Sequence, residues 1–352
     1  MARIQIGGAG GAPSNNVTRS LRESHRGDYL IGTSATPSDL FLTDADEKHV
    51  VPHGAASEYE PAIIRLLTDR RPDFLHVQND FEVRAVSRLR DKIHALGVKT
   101  YLPSPATVEN CVDNHRSYKL WRRSGLRVPE TVLLRSRQDL QAAFEQFGPA
   151  LWLRAVTGTA GHGALPADDM QFATMWIDHY DGWGHFTAAK RLGHKTVTWL
   201  SLWFEGDLVV AQSRRRRGWS FGSRTLSGVT GITSVSETCR DQLVDAVALE
   251  AVLAVDPRPH GIFGVDMTYD DDEYPNPTEI NIGRFFTTVY FFTRAGLNLP
   301  AMYCDIGIDN EFPSLERTVN PLPEGLLWIR GMDVEPALVT TAELEALERT
   351  AC

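Results

Sequence analysis

The chain has 352 residues, too many for one minimal core and enough for two or three packed subdomains. Charged residues at 23% and hydrophobic residues at 42% are ordinary globular usage, which excludes disorder over most of the length. The formal net charge of −9 argues against nucleic acid as the main partner, because phosphate backbones need a basic surface.

The N-terminus MARIQIGGAGGAP places glycines where a signal peptide would carry its apolar core, and no apolar stretch approaches roughly 20 residues. A cytoplasmic chain with no membrane partner is expected. Arg3 to Ile6 reads as a strand, Gly7 to Pro13 as a glycine loop and Asn16 to Glu23 as a helix. Next come a strand at Tyr29 to Gly32, a helix at Glu60 to Thr68, a strand at Phe74 to Val77, a long helix at Glu82 to Ala95 and a short strand at Lys99 to Tyr101. This alternation predicts a parallel sheet with helices on both faces. The glycine loop opens like a dinucleotide fingerprint. Pro13 stands where the third glycine would be, and the second strand ends in Thr33-Ser34 instead of an acidic residue, so a nicotinamide cofactor is disfavoured.

Asn114 to Ser124 reads as a helix closed at Gly125, followed by Val128-Pro129 and a strand at Thr131 to Leu134, which begins a different subdomain. From Leu151 the chain is strand-rich, through LWLRAV, TVTWLSLWFEG, DLVVAQSRRRR, GIFGVDMTY and TEINI, interrupted by one long helix from Glu237 to Val255. An α+β unit with an antiparallel sheet is predicted. Asp270 to Glu273 reads as a solvated acidic turn. Cys111, Cys239, Cys304 and Cys352 lack ligand spacing and read as free thiols.

Asp266 lies in GIFGVDMTY, and Glu279 and Asn281 lie in TEINI beyond the acidic turn, so the two strands can form a hairpin. A period of two puts Glu279 and Asn281 on one face. Three hard oxygen ligands suit magnesium, which keeps several waters and takes one or two carboxylates plus nucleotide phosphates. The alternative is a sheet with one polar face, and spacing alone does not choose between them.

These segments, in their order, resemble the ATP-grasp superfamily, and within it the group similar to the large subunit of carbamoyl phosphate synthetase. The likeness runs over roughly Ile4 to Leu299 through IQIGGAGGAPSNNVTRSLR, PDFLHVQNDFE, DNHRSYKLWRRSGLRVPET, LRAVTGTAGHGAL, SGVTGITSV, and FGVDMTY with TEINIGRF. It implies a Rossmann-like N-terminal parallel sheet followed by the two α+β subdomains of an ATP-grasp fold. The divisions expected are residues 1–108, a small flap subdomain 109–183, a large subdomain 184–304 with the metal hairpin, and a C-terminal extension 305–352.

The resemblance also implies ATP with Mg2+, or Mn2+ in its place, and Asp266, Glu279 and Asn281 as the metal ligands. Arg154 would hold phosphate under a flap containing Gly161, His162 and Gly163, with Lys190 also at the nucleotide. Asn114 stands where the family has a lysine or arginine, leaving Arg116 or Lys119 to supply that charge, and Ala189 and Thr196 replace acidic residues that hold adenine and ribose. Asn-Pro-Arg becomes Asn281-Ile282-Gly283-Arg284, which shifts the arginine by one residue and makes Arg284 an anchor for substrate or acyl phosphate. In the run Arg214 to Arg217, Arg214 and Arg216 face one way and Arg215 and Arg217 the other, so one pair can form a phosphate or carboxylate clamp. The expected activity is ADP-forming ligation of a small carboxylate to an amine or other nucleophile. A homodimer is an allowed assembly; the alternatives are carbamoyl-phosphate-type or hydroxyl phosphorylation chemistry, and a degenerate non-catalytic nucleotide-binding protein.

Overall fold

The computed structural model describes residues 1–158, 161, 163–332 and 337–343. The N-terminal part runs β1 (Arg3–Gly7), α1 (Ala12–Glu23), β2 (Tyr29–Ser34), β3 (Glu47–Val50), α2 (Tyr59–Arg70), β4 (Phe74–His76) and α3 (Asp80–Ala95). Its four strands form a sheet in the order β3-β2-β1-β4, all parallel, as the alternation predicted. Lys99 only bridges to Phe74 and starts no strand, which corrects the strand expected at Lys99 to Tyr101. The glycine loop is tight for a local reason. Gly10 has φ +88°, and a Cβ there would sit 1.9 Å from the Asp39 carbonyl oxygen, so the loop is closed against the protein itself.

Two short helices, α4 (Pro105–Val112) and α5 (Asn114–Arg123), lead into the small subdomain. Asp113 caps α5 by accepting from the Arg116 N–H, and the Trp121 indole anchors the helix by donating to the Ala251 carbonyl. Then follow β5 (Thr131–Leu134), α6 (Arg137–Phe147), β6 (Leu151–Ala155), β7 (Leu165–Ala167), α7 (Met170–His179) and β8 (Phe186–Lys190). The strands form a four-stranded antiparallel sheet, β5-β8-β6-β7, with its own apolar cluster around Leu134, Leu153 and Phe186.

The large sheet comprises β9 (Thr196–Phe204), β10 (Asp207–Trp219), β11 (Thr233–Cys239), then, after α8 (Gln242–Val255), β12 (Gly261–Tyr269) and β13 (Pro275–Ile282). After α9 (Val289–Arg294) and α10 (Leu299–Asp309) come β14 (Leu326–Ile329) and β15 (Ala337–Thr340). The seven strands lie in the order β13-β12-β9-β10-β11-β14-β15, so the C-terminal residues complete this sheet. Glu237 belongs to β11, and the helix expected from Glu237 starts only at Gln242, where Asp241 accepts from the Leu243 and Val244 N–H groups. An Asp with two helix donors to cap is a stronger start signal than the apolar run alone.

The large sheet is covered on both sides, and the period of two sorts its residues. Val197, Trp199, Val265, Met267, Ile280 and Ile282 face α8, in one core with Val244, Ala248, Ala251 and Val252. Leu200, Leu202, Val210 and Ile262 face the other way, against Phe285, Phe291 and Phe292 and the N-terminal sheet. Fully burying one such side chain contributes ~1.5–3 kcal/mol, so these two clusters fix which face every neighbouring residue presents. Among the described residues no helix is long and apolar enough to cross a membrane.

Candidate active site

On the face opposite α8, the apolar row ends and polar residues begin. Cross-strand register aligns Glu279, Asp266, Thr198 and Arg214 across four adjacent strands, with Thr196, Arg216 and Ser236 in the next row. Glu279 and Asn281 share the face expected of them, and Asn281 Nδ2 donates to Asp266 Oδ2 at 2.9 Å. Thr198 Oγ1 donates to the other Asp266 oxygen. Arg216 lies 3.5 Å from Asp266, donates to the hydroxyls of Thr196 and Thr233, and stacks 3.8 Å over the Trp219 ring, so its orientation is fixed from three sides.

Arg154 reaches this row from β6 of the small subdomain. Its guanidinium donates to Glu279 Oε2 at 2.9 Å and to the Thr278 carbonyl at 2.8 Å. Burial raises the Glu279 pKa and neighbouring Asp266 adds to the rise, while Arg154 opposes it. Arg284, next to Gly283 at φ +67°, turns to the N-terminus of α3 and pairs with Asp80. A carboxylate in the first turn of a helix is favoured by the helix dipole, and the arginine adds to that.

Two clefts flank these groups. A cavity of about 120 Å³ is lined by Glu279, Asn114, Thr157, Gly158, Asp80 and Arg84. Arg116 and Lys119 do not reach it. They are exposed and line a separate open cleft with Glu109, Asn110 and Arg123. Lys190 is exposed at the end of β8, and Ala189 sits between Thr131 and Trp152. Gly161 and Gly163 both have φ +74°, and a Cβ on Gly161 would lie 3.1 Å from the Val229 carbonyl, so the turn meets the loop between β10 and β11. His162 lies outside the described residues.

The arginine run divides as alternation requires: Arg214 and Arg216 lie on the face with Asp266, whereas Arg217 pairs with Glu237. Sequence reading missed Thr198 and Asp80. The threonine looked like any strand residue, and Asp80 gave the signal of a helix start without indicating a partner 204 residues away.

The donor set fits a magnesium ion. Asp266 and Glu279 supply two adjacent carboxylates, and Asn281, with its amide nitrogen on Asp266, leaves its oxygen for a cation. Asp266 and Glu279 are 26% and 29% exposed at the side chain, so the site is open enough for phosphate and water to enter.

No family model matches the chain and no curated protein matches it. Solved structures do. Biotin carboxylase from Campylobacter jejuni, in its β,γ-ATP complex, is 15% identical with a TM-score of 0.71 over 94% of this chain and 75% of that one. L-amino acid ligase from Bacillus licheniformis is 13% identical with a TM-score of 0.68 over 93% and 79%. N5-carboxyaminoimidazole synthetase from Staphylococcus aureus, complexed with ADP, is 15% identical with a TM-score of 0.70 over 99% and 86%. These likenesses establish the fold: an N-terminal parallel sheet followed by the two α+β subdomains of the ATP-grasp arrangement.

Proposed function

We propose that this chain is an ADP-forming ligase that uses ATP to convert a substrate carboxylate into an acyl phosphate and passes the acyl group to an amine or another nucleophile. The observation that carries the reading is the convergence of Asp266, Glu279 and Asn281 on one sheet face with Arg154 arriving from the other subdomain. We place the chain in the group similar to the carbamoyl phosphate synthetase large subunit, on the order of its sequence segments, and in the cytoplasm, with a homodimer as an allowed assembly.

Asp266, Glu279 and Asn281 would hold Mg2+, or Mn2+, which when bound neutralises charge on the nucleotide phosphates. Arg154, free to exchange its Glu279 contact for a phosphate oxygen, supplies a fork of donors from the small subdomain. A carboxylate oxygen of the substrate attacks the γ-phosphorus and the bond to the β–γ bridging oxygen breaks, so ADP leaves. Arg216, held rigidly beside Asp266, stabilises charge on the transferring group without reorganising. The nucleophile then displaces phosphate from the acyl carbon. Arg284 and Asp80 hold the end of the hairpin against the N-terminus of α3, where the acceptor would approach.

The test is ADP and phosphate release from Mg-ATP over a panel of carboxylic acids, each with and without amines. Release that requires an acid and increases with an amine supports the ligase. Stimulation by bicarbonate, carbamate or a hydroxyl compound alone points to those acceptors instead. A second reading, a nucleotide-binding protein without turnover, is favoured by Asn114 in the Glu279 cleft, where the resemblance expects a lysine or arginine. Tight Mg-ATP binding with no release under any acceptor would select it.

A further inference from the structure

The polar sheet face continues past Arg214 into a region that no part of the reading above uses. Ser236 of β11 pairs with Arg216 on one side and Trp328 of β14 on the other, so all three side chains share that face. Arg330 lies two residues beyond Trp328 on the same strand line, and its backbone N–H donates to the Ser234 carbonyl. The Arg330 guanidinium donates to the Thr287 carbonyl at 2.6 Å. Phe286, one residue before Thr287, packs its ring against Arg214, with the guanidinium carbon 4.4 Å from the ring centroid. One short segment, Phe286 to Thr288, therefore touches both arginines.

Arg214 is only 2% exposed, and among the described residues its side chain makes no hydrogen bond and no ion pair. Its Nε and Nη1 are fully buried without partners. The Phe286 ring faces the guanidinium but accepts no ordinary hydrogen bond, so the guanidinium is desolvated with buried donors unused. Two hydroxyls nearby are in the same condition: Ser236 Oγ and Thr288 Oγ1 are buried and unpartnered. Arg216 and Arg330 both act against the Arg214 charge and Arg19 acts against Arg330, while Asp266, two strands away, favours the Arg214 charge. Arg216 is already paired with Asp266, whereas among the described residues neither Arg214 nor Arg330 has a carboxylate partner.

We propose that Arg214 and Arg330, with the hydroxyls of Ser236 and Thr288, bind a second anionic group of the acid substrate, a carboxylate or a phosphate monoester. Its reacting carboxylate then lies toward Asp266 and Glu279. The preferred acid is therefore dianionic. Arg214 and Asp266 stand on strands separated only by β9, roughly 10 Å between backbones, which sets the span a substrate has to cover. This rests on the ligase reading for the position of the reacting end; the anion site itself rests on the unpartnered arginine and hydroxyls.

The experiment compares KM in ADP release for dicarboxylates from malonate to adipate with their monocarboxylate counterparts, and for 3-phosphoglycerate with glycerate, in the parent and in Arg330→Gln. At least one dianion is expected to show a KM tenfold or more below its monoanionic counterpart, and Arg330→Gln is expected to reduce that ratio to about threefold or less. The dicarboxylate and phosphate arms say which anion the site takes. Equal KM values within every pair of the parent, or a ratio unchanged in Arg330→Gln, overturn the proposal. If no acid stimulates release, the ligase reading has failed, and calorimetry with succinate and 3-phosphoglycerate decides the site on its own. Binding to the parent that weakens at least tenfold in Arg330→Gln and in Ser236→Ala upholds it; no binding, or equal binding by all three proteins, overturns it. Equal Mg-ADP affinity in the three proteins shows that they are folded.

Discussion

Arg154 Nη2 lies 2.9 Å from Glu279 Oε2, so the arginine of the small subdomain and a carboxylate of the β12–β13 hairpin satisfy each other across the cleft. The pair is partly solvated, which leaves the arginine within reach of an incoming anion. In Arg154→Met the loss of a charge-assisted contact to phosphate, about 1.5–3 kcal/mol, should raise the Kd for Mg-ATP roughly 10- to 100-fold. Calorimetry reads this directly. A change of less than about twofold would remove Arg154 from the nucleotide site.

Arg284 and Asp80 are both largely shielded, with side chains 13% and 16% exposed, and Arg284 Nη2 donates to Asp80 Oδ2 at 3.1 Å. Removing one partner leaves a shielded charge unpaired, so Arg284→Met is expected to destabilise by about 3 kcal/mol. Arg284→Met combined with Asp80→Leu should recover more than half of that. Urea denaturation of the four proteins in the cycle checks it, and additive losses would mean that the pair is not coupled.

Glu82 gives a stability signature in pH. Burial lifts its pKa from 4.5 to about 7, against the hydrogen bonds donated by Tyr59 and Asn79. The folded state therefore keeps the proton where the unfolded chain has lost it. The contribution is fully present below about pH 4.5 and is lost as pH rises through about 7, amounting to roughly 3 kcal/mol over that window. Glu82→Gln removes the titration, so the stability difference between parent and variant should change by about that amount between pH 4.5 and 7.5. Parallel stability curves would contradict the assignment.

Gly283 explains how the shifted arginine is accommodated. Its φ of +67° turns the chain after Ile282, and a Cβ there would come 2.8 Å from a Val83 methyl carbon. Gly283→Ala should cost about 1–3 kcal/mol through the left-handed backbone and the clash together, and should slow ADP release by moving Arg284. A variant as stable and active as the parent would show that the turn is not constrained.

Much of this fold was legible because its signals are local. The alternating elements of the first hundred residues, the hairpin of GIFGVDMTY with TEINI, and the division of Arg214 and Arg216 from Arg215 and Arg217 all follow from periodicity. The start of α8 was misplaced because Thr233 to Cys239 alternates only weakly, with Val235 and Cys239 its only apolar residues, although it pairs with β10 and β14. The strands β14 and β15 were unassigned for a related reason: short strands take their stability from neighbours distant in sequence. At the site, residue types and order pointed to Asp266, Glu279, Asn281 and Arg154. The pairing of Arg284 with Asp80, and the isolation of Arg214 beside Arg330, depend on tertiary contacts that spacing does not encode.

The most direct measurement is the rate of ADP formation from Mg-ATP in the presence of an acid and an amine, in the parent and in Glu279→Gln. The substitution keeps the side-chain shape and removes the charge that would hold the cation. A loss of at least a hundredfold, with the fold intact by circular dichroism, is the predicted result; turnover within threefold of the parent would contradict the metal hairpin and the ligase with it.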